Sequence, residues 1–243
     1  MIAPAPKRAK ATPDPALREF ALEVHRRLCE VYGCPYPYFR VLDPLSELIG
    51  SILSHRTRNR ESGTALRNLQ TAYPGWSGML DAPLPEIEER IAMVTFPEVK
   101  APVIQNALRF ILDETGALSL DFLAELTPIE AQTWLRRMKG VGPKTAAATL
   151  AFSSLKMRAL PVDSHHYRVV RRLGILPKSV GEGPAHDRLE ALLPPEWGAQ
   201  ELYDDHEILM LHGQKVCSWR RPDCERCVLA DLCPSRGTPG GEI

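Results

Sequence analysis

The sequence predicts an all-α protein, and three observations support this fold class. Apolar residues recur at helical spacing in several segments, of which residues 17–31 are the first. Asp14, Asp43 and Thr127 each precede a proline that opens such a segment, which is the usual arrangement at a helix N-terminus. No segment alternates between apolar and polar residues as a half-buried strand does.

The same signals give the expected helices in order. The first has Pro15 in its first turn and a stop at Gly33, and Thr127 forms a capping box with Glu130. The expected helices span 14–33, 43–55, 127–138, a segment that begins at residue 143, 164–173, 184–193 and 200–212. Most of the 22 prolines then fall at helix starts or in connectors, which suits short helices joined by tight loops.

Composition excludes several classes of protein. Apolar residues make up 44% and charged residues 25% of the 243 residues, as in ordinary globular proteins. No apolar run approaches the roughly 18 residues of a membrane span. Residues 1–15 carry lysine and proline without an apolar centre, so we expect a disordered tail and no secretory signal. A cytoplasmic chain is therefore expected, while its formal net charge of zero gives no global argument for nucleic acid.

Six cysteines are present, and four of them form a C-x6-C-x2-C-x5-C pattern near the C-terminus: Cys217, Cys224, Cys227 and Cys233. Four thiolates at this spacing suit zinc or a [4Fe–4S] cluster. Structural zinc sites more often pair two C-x2-C units and only one is present here, so the pattern favours iron–sulfur over zinc. We expect Cys29 to be a core residue, and Cys34 has no clear partner.

The segment MKGVGPKTAAATL predicts a turn between two helices. Gly140 and Gly142 permit positive φ and close backbone approach, and free N–H groups at the second helix start could bind an anion. A plain helix–helix turn is the alternative. Lys144 falls in the first helical turn, where the dipole opposes a positive charge and lowers the lysine pKa. A neutral amine is what a Schiff-base nucleophile requires.

Three segments, LRRMKGVGPKTAAATL, PVDSHHYRVVRRLG and ILMLHGQKVC, together with the four cysteines, resemble the endonuclease III family of DNA repair glycosylases. The likeness covers roughly residues 16–236. It implies the helix-hairpin-helix glycosylase fold, with two helical lobes and a DNA cleft between them. A six-helix barrel domain with the hairpin would span 40–157, and an iron–sulfur cluster domain would combine 16–39 with 158–243. The four cysteines would then hold a [4Fe–4S] cluster.

The resemblance also implies chemistry. Lys144 matches the nucleophile of the family and Asp163 its essential aspartate. The implied activity is that of a bifunctional glycosylase and AP lyase, which removes oxidised pyrimidines from damaged double-stranded DNA and cleaves the strand by β-elimination. Asp163 also suits a simple helix cap, and the two roles can coexist. A nearby carboxylate raises a lysine pKa, against the dipole, and the sequence leaves the outcome open.

Expected DNA contacts follow from the same comparison. Gly140 and Gly142 would bind a phosphate through backbone N–H groups. Arg56 stands where the family has a glutamine that fills the gap left by the flipped base, and Phe96 would be an intercalating wedge. The remaining expected contacts are Lys215, Arg220, Arg221 and His165. Local basic clusters within 56–60, 136–139 and 215–221 favour DNA contact, although each also suits an ordinary solvated face. A structural hydrogen bond is the favoured alternative for His165.

Departures from the family pattern leave substrate range open. Lys139 replaces a usual proline and Pro143 a common arginine. The alternatives are an enzyme that mainly cleaves abasic sites with narrow or weak base excision, a monofunctional glycosylase, a catalytically idle DNA-binding protein and a zinc module. We expect a monomer with no membrane association that acts on the bacterial nucleoid.

Overall fold

The computed structural model describes residues 14–238, and every regular element in that range is helical. The α-helices are α1 (Pro15–Tyr32), α2 (Pro44–Leu53), α3 (Asn59–Ala72), α4 (Leu84–Arg90), α5 (Pro97–Thr115), α6 (Pro128–Leu135), α7 (Pro143–Phe152), α8 (Ser164–Arg172), α9 (Glu182–Leu192) and α10 (Ala199–Lys215). The all-α prediction is confirmed. Of the expected tail 1–15, residues 1–13 lie outside the described range, and Asp14 and Pro15 begin α1.

The predicted caps are present. The Asp14 carboxylate accepts a hydrogen bond from the Ala16 N–H at 3.0 Å, and that of Asp43 accepts one from the Ser46 N–H at 2.9 Å. Thr127 forms the full capping box of α6. α3, α4 and α5 begin without a side-chain cap, which explains why no capping signal announced them.

The turn between α6 and α7 is tighter than expected. α6 was predicted to end near Met138 but ends at Leu135, because the N–H groups of Arg137 and Met138 donate to carbonyls three residues back. Gly140 follows with φ of 90°, a left-handed conformation that favours glycine. The chain then reverses, and α7 begins at Pro143 as predicted.

Two separate hydrophobic cores are present among the described residues. The first is built from α2 to α7 and includes Leu48, Ile104 and Leu150. The second joins α1 to α8, α9 and α10 and includes Leu28 and Val169. The first described helix, α1, therefore packs with the helices at the C-terminal end of the chain. The exact domain boundaries given above stay a prediction.

Close backbone approach occurs where α8 meets α10. A Cβ on Gly213 would lie 2.9 Å from the His165 Cβ and 3.0 Å from the His165 carbonyl oxygen. Only glycine lets the two helices come this near. In the described part of the chain, no helix is both long and apolar enough to cross a bilayer.

The two upstream cysteines correct an expectation. Cys29 is not simply a core residue and Cys34 is not without a partner, since the two form a disulfide with a Cα–Cα distance of 5.1 Å. Gly33 ends α1 with φ of 83° and turns the chain so that the second cysteine reaches the first. Sequence spacing alone did not reveal this return.

Candidate active site

Lys144 lies in the first turn of α7 and is partly buried. Its Nζ is 3.5 Å from the Ser54 Oγ, which follows α2. Burial lowers the pKa of Lys144, while the carboxylates of Asp163, Glu47 and Glu207 oppose the shift, and burial prevails. The sequence left open whether nearby carboxylates raise the pKa of Lys144. In the folded protein that pKa is lowered, so the amine is more readily deprotonated.

Asp163 is the N-cap of α8, so the helix-cap role expected for this residue is present. Its Oδ1 accepts hydrogen bonds from the N–H groups of His165 at 2.9 Å and His166 at 2.8 Å. Burial raises the pKa of Asp163, but His206 and the backbone donor of His166 lower it further, and the net pKa falls. The cap thereby holds an ionised carboxylate near Lys144.

Glu207 is a third ionisable side chain in this cluster, and sequence reasoning missed it. It lies on α10 and is partly buried. Burial and the charge of Asp163 raise the pKa of Glu207 to about 7, although Lys144 lowers it. A carboxyl that changes charge near neutral pH suits proton transfer. Only the packing of α10 against α7 and α8 brings it here, so no local signal pointed to it.

The glycine hairpin presents an uncapped helix start. Gly142 is the N-cap of α7, no side chain caps that turn, and Pro143 has no N–H to satisfy. A Cβ on Gly142 would meet no atom within 4 Å, so the space beside it is open. This geometry is compatible with the expected phosphate contact and, by itself, also with a plain turn.

Arg56 and Phe96 project from two adjoining loops. Both are non-glycine residues with positive φ, 51° and 59° respectively, and both are exposed. The Thr95 Oγ1 donates to the Arg56 carbonyl at 2.8 Å, and the Thr95 N–H donates to the Thr57 Oγ1 at 3.1 Å. Trp76 and Lys156 also have positive φ, so this conformation by itself leaves the expected role of Arg56 and Phe96 a prediction.

Lys100, in the first turn of α5, binds the loop that carries Arg56 and was also missed. Its side chain is buried, and its Nζ donates to the carbonyls of Leu53 and His55 and to the Thr57 Oγ1, each at 2.8 Å. Burial lowers the pKa of Lys100 to about 8. This lysine therefore holds the loop of Arg56 against α5 and is not itself available to DNA.

The four C-terminal cysteines are free and partly buried. Two arginines of α8 hold the loop that begins at the first of them. Arg168 donates to the Cys217 carbonyl at 2.9 Å, and the Arg172 Nη1 lies 3.2 Å from the Cys217 Sγ and 2.7 Å from the Ser218 carbonyl oxygen. α8 thus connects Asp163 at its start to the cysteine loop at its end.

Some of the basic side chains expected to contact DNA are exposed, and others are held by ion pairs or hydrogen bonds. Lys215, Arg220 and Arg221 are exposed beside the cysteine loop. Arg137, in the cluster before the hairpin, pairs with Glu114 at 2.8 Å, which supports the solvated-face alternative for this residue. The His165 Nδ1 is 3.0 Å from the Arg168 Nη2, which supports the structural alternative for His165.

Comparison with known proteins places the chain among DNA repair enzymes. No family model matches. The chain is 30% identical over 189 residues to endonuclease III of Sulfolobus acidocaldarius, and the match covers 78% of the chain and 70% of that protein. The chain belongs to the endonuclease III family. Endonuclease III of Escherichia coli is 27% identical over 87% of the chain and 93% of the relative.

A plant relative is longer. The "Putative DNA glycosylase" of Arabidopsis thaliana is 33% identical over 174 residues, which are 72% of the chain and 57% of the relative. The chain therefore spans little more than half of that protein.

Solved structures confirm the helix-hairpin-helix glycosylase fold. A trapped endonuclease III–DNA covalent intermediate superposes with a TM-score of 0.74 at 21% identity, over 89% of this chain and 95% of the other. A thermostable thymine-DNA glycosylase gives a TM-score of 0.69 at 20% identity, over 90% and 97%. At these identities the likeness concerns the fold alone.

Proposed function

We propose that the chain is a bifunctional DNA glycosylase and AP lyase of base excision repair that acts on damaged double-stranded DNA. Membership of the endonuclease III family supports this activity. The observation that carries it is Lys144, an amine made easier to deprotonate by burial and faced by the carboxylate of Asp163. Oxidised pyrimidines are the proposed substrates.

The first step is base displacement. A base inside a duplex is unreachable, so the nucleotide must first flip out. The neutral Nζ of Lys144 then bonds to C1′ as the bond from C1′ to the base breaks, and the base leaves with the bonding electrons. Asp163, held ionised by the first turn of α8, stabilises the positive charge that builds on the sugar. The attached amine passes one proton to the departing base. The C1′–O4′ bond then breaks as O4′ takes a proton from water, and the nitrogen lone pair forms the C=N bond of the protonated Schiff base.

The second step is β-elimination, and we assign its proton acceptor to Glu207. The Schiff base acidifies C2′, and a carboxylate with a pKa of about 7 is suited to accept that proton at neutral pH. The electrons released form the C2′–C3′ double bond as the C3′–O bond breaks and the phosphate leaves. Water then frees Lys144 from the sugar.

Arg56 and Phe96 would fill the space left by the flipped nucleotide. Their exposure, their positive φ values and the hydrogen bonds between their loops support this role. An arginine can donate to the orphaned base or to a phosphate, and an aromatic ring can wedge between base steps. Lys215, Arg220, Arg221 and the hairpin glycines would contact the DNA backbone.

A [4Fe–4S] cluster is the proposed occupant of Cys217, Cys224, Cys227 and Cys233. All four are free thiols and partly buried, so none is committed to a disulfide. The single C-x2-C unit and the cationic Arg172, whose Nη1 is 3.2 Å from the Cys217 Sγ, favour the anionic iron–sulfur cluster. When bound, the cluster would hold this basic loop in shape.

One experiment separates the proposed activity from its rivals. Borohydride reduction on an abasic-site duplex traps a Schiff base as a covalent adduct. We expect an adduct that vanishes in Lys144→Ala, whereas an idle DNA-binding protein or a monofunctional glycosylase gives none in the parent. Asp163→Asn should keep DNA binding and lose base removal.

A panel of damaged-base duplexes with each opposite base then tests the substrate range. Excision of oxidised pyrimidines supports the full proposal. Cleavage of abasic sites alone would favour the narrower AP lyase. We propose a cytoplasmic monomer, for which sizing chromatography of the parent protein is the direct measurement.

A further inference from the structure

A second group of metal-binding side chains lies away from the active site, at the end of α1. His25 and Cys29 are four residues apart, so they share one face of the helix. The His25 Nε2 is 3.2 Å from the Cys29 Sγ. Cys34 returns to the same point through the turn at Gly33 and forms the disulfide with Cys29. The three ligand atoms all lie within 4.8 Å of one another.

Asp205 of α10 orients the histidine from behind. Its Oδ1 is 3.0 Å from the His25 Nδ1, and the aspartate is only 4% exposed. A carboxylate only accepts hydrogen bonds, so it places the ring proton on Nδ1 and leaves a lone pair on Nε2. That lone pair faces the sulfurs. A buried carboxylate on the far nitrogen is the usual support of a metal-binding histidine.

This arrangement exceeds what a disulfide needs. A covalent staple between Cys29 and Cys34 requires neither an imidazole at its sulfur nor a buried carboxylate behind that imidazole. Two thiolates and one imidazole are, in contrast, a donor set that zinc prefers. Zinc–ligand bonds of about 2.0–2.3 Å put such donors about 3.5–3.8 Å apart. The three ligand atoms of His25, Cys29 and Cys34 lie within 4.8 Å of one another, so they are close enough to share one ion.

We propose that, once the disulfide is reduced, His25, Cys29 and Cys34 bind one Zn²⁺ ion, with Asp205 as the positioning residue. A thiol reductant supplies the two electrons and two protons that convert the disulfide to two thiols. Zinc then binds both as thiolates and releases two protons, without changing its own oxidation state. Water takes the fourth tetrahedral position. This corner of the fold is thus a disulfide or a zinc site according to the redox state.

The test measures zinc and iron in the full-length protein with its iron centre intact. The protein is reduced anaerobically with a phosphine, incubated with excess Zn²⁺, desalted and analysed by mass spectrometry for both metals. We expect about one zinc per chain in the reduced protein, none in the oxidised protein, and an unchanged iron content. Cys34→Ser and His25→Gln should lose the zinc, and Asp205→Asn should weaken zinc binding by about 10–100-fold.

A matched control is His186→Gln, which alters a buried histidine of α9 outside this group and should keep the zinc. Alkylation of the parent protein covers the case in which a variant fails to fold. Bound zinc should protect Cys29 and Cys34 from iodoacetamide in peptide mapping. The proposal is overturned if the reduced parent binds no zinc, if both thiols still react at full zinc loading, or if zinc enters only as iron leaves.

Discussion

Substitution of Gly140 by alanine is expected to destabilise the protein strongly, for two reasons that can be measured separately. Gly140 has φ of 90°, a conformation that costs an L-residue about 1–2 kcal/mol. A Cβ there would lie 2.7 Å from Cγ1 and 3.0 Å from Cγ2 of Val103 on α5. Overpacking of this kind costs about 1–3 kcal/mol more.

The two terms add to about 2–5 kcal/mol, a large part of the roughly 5–15 kcal/mol by which proteins of this kind are stable. Urea unfolding under anaerobic conditions measures the change. A double-mutant cycle with Val103→Ala separates the steric cost from the backbone cost. The alanine side chain removes the clash with the new Cβ and leaves the strain of the positive φ. In the Val103→Ala background, Gly140→Ala should cost only about 1–2 kcal/mol.

Gly142→Ala is the matched control. Gly142 has φ of −91°, and a Cβ there would meet no atom within 4 Å. Its stability cost should stay below about 1 kcal/mol, the usual loss at a helix N-cap. Affinity for abasic-site DNA should nevertheless fall, because the methyl group would enter the open space beside Gly142 where we propose that a phosphate binds. A Gly140→Ala variant as stable as the parent would refute the reasoning on φ and on Val103.

Three further predictions concern the site and its supports. Glu207→Gln should slow strand cleavage at abasic sites and abolish the rise in the single-turnover cleavage rate through about pH 7. Borohydride trapping by Lys144 should persist in this variant. An unchanged pH profile of the cleavage rate would exclude Glu207 as the proton acceptor. Lys100→Met should cost about 1–3 kcal/mol in urea unfolding, because three acceptors lose their donor, and base excision should fall more than abasic-site cleavage. Burial lowers the pKa of His206 to about 4, against about 6.5 when unfolded, so the unfolded chain binds the proton first. Neutral His206 therefore contributes fully to the free energy of unfolding above pH 6.5, and this contribution is lost as the pH falls towards 4. His206→Gln should flatten the pH dependence of the urea midpoint between these values. An unchanged slope would contradict this.

Much of the fold was predictable because helix starts are local. Asp14, Asp43 and Thr127 cap helices through side chains that bond to backbone groups two or three residues away. Such signals need no tertiary contact. α3 and α5 begin without side-chain caps, so the capping signal was absent there, and Pro97 was the one local sign of the start of α5.

The candidate site was predictable only in part. Lys144 stood out because it opposes its own helix dipole, and Asp163 because it precedes a helix. Their proposed roles came from the family resemblance. Glu207 and Lys100 lie in ordinary helical sequence, and only their burial beside distant residues makes them notable.

The sequence by itself determined the all-α class, most helix starts, the family and the four-cysteine pattern, because these depend on short-range bonding and on ordered motifs. The tertiary structure alone decided which carboxylates face Lys144, that burial outweighs their effect on its pKa, and that Cys34 meets Cys29 beside His25. Desolvation and contact between distant segments arise only when α1, α7, α8 and α10 pack together, and no local pattern of residues records that packing.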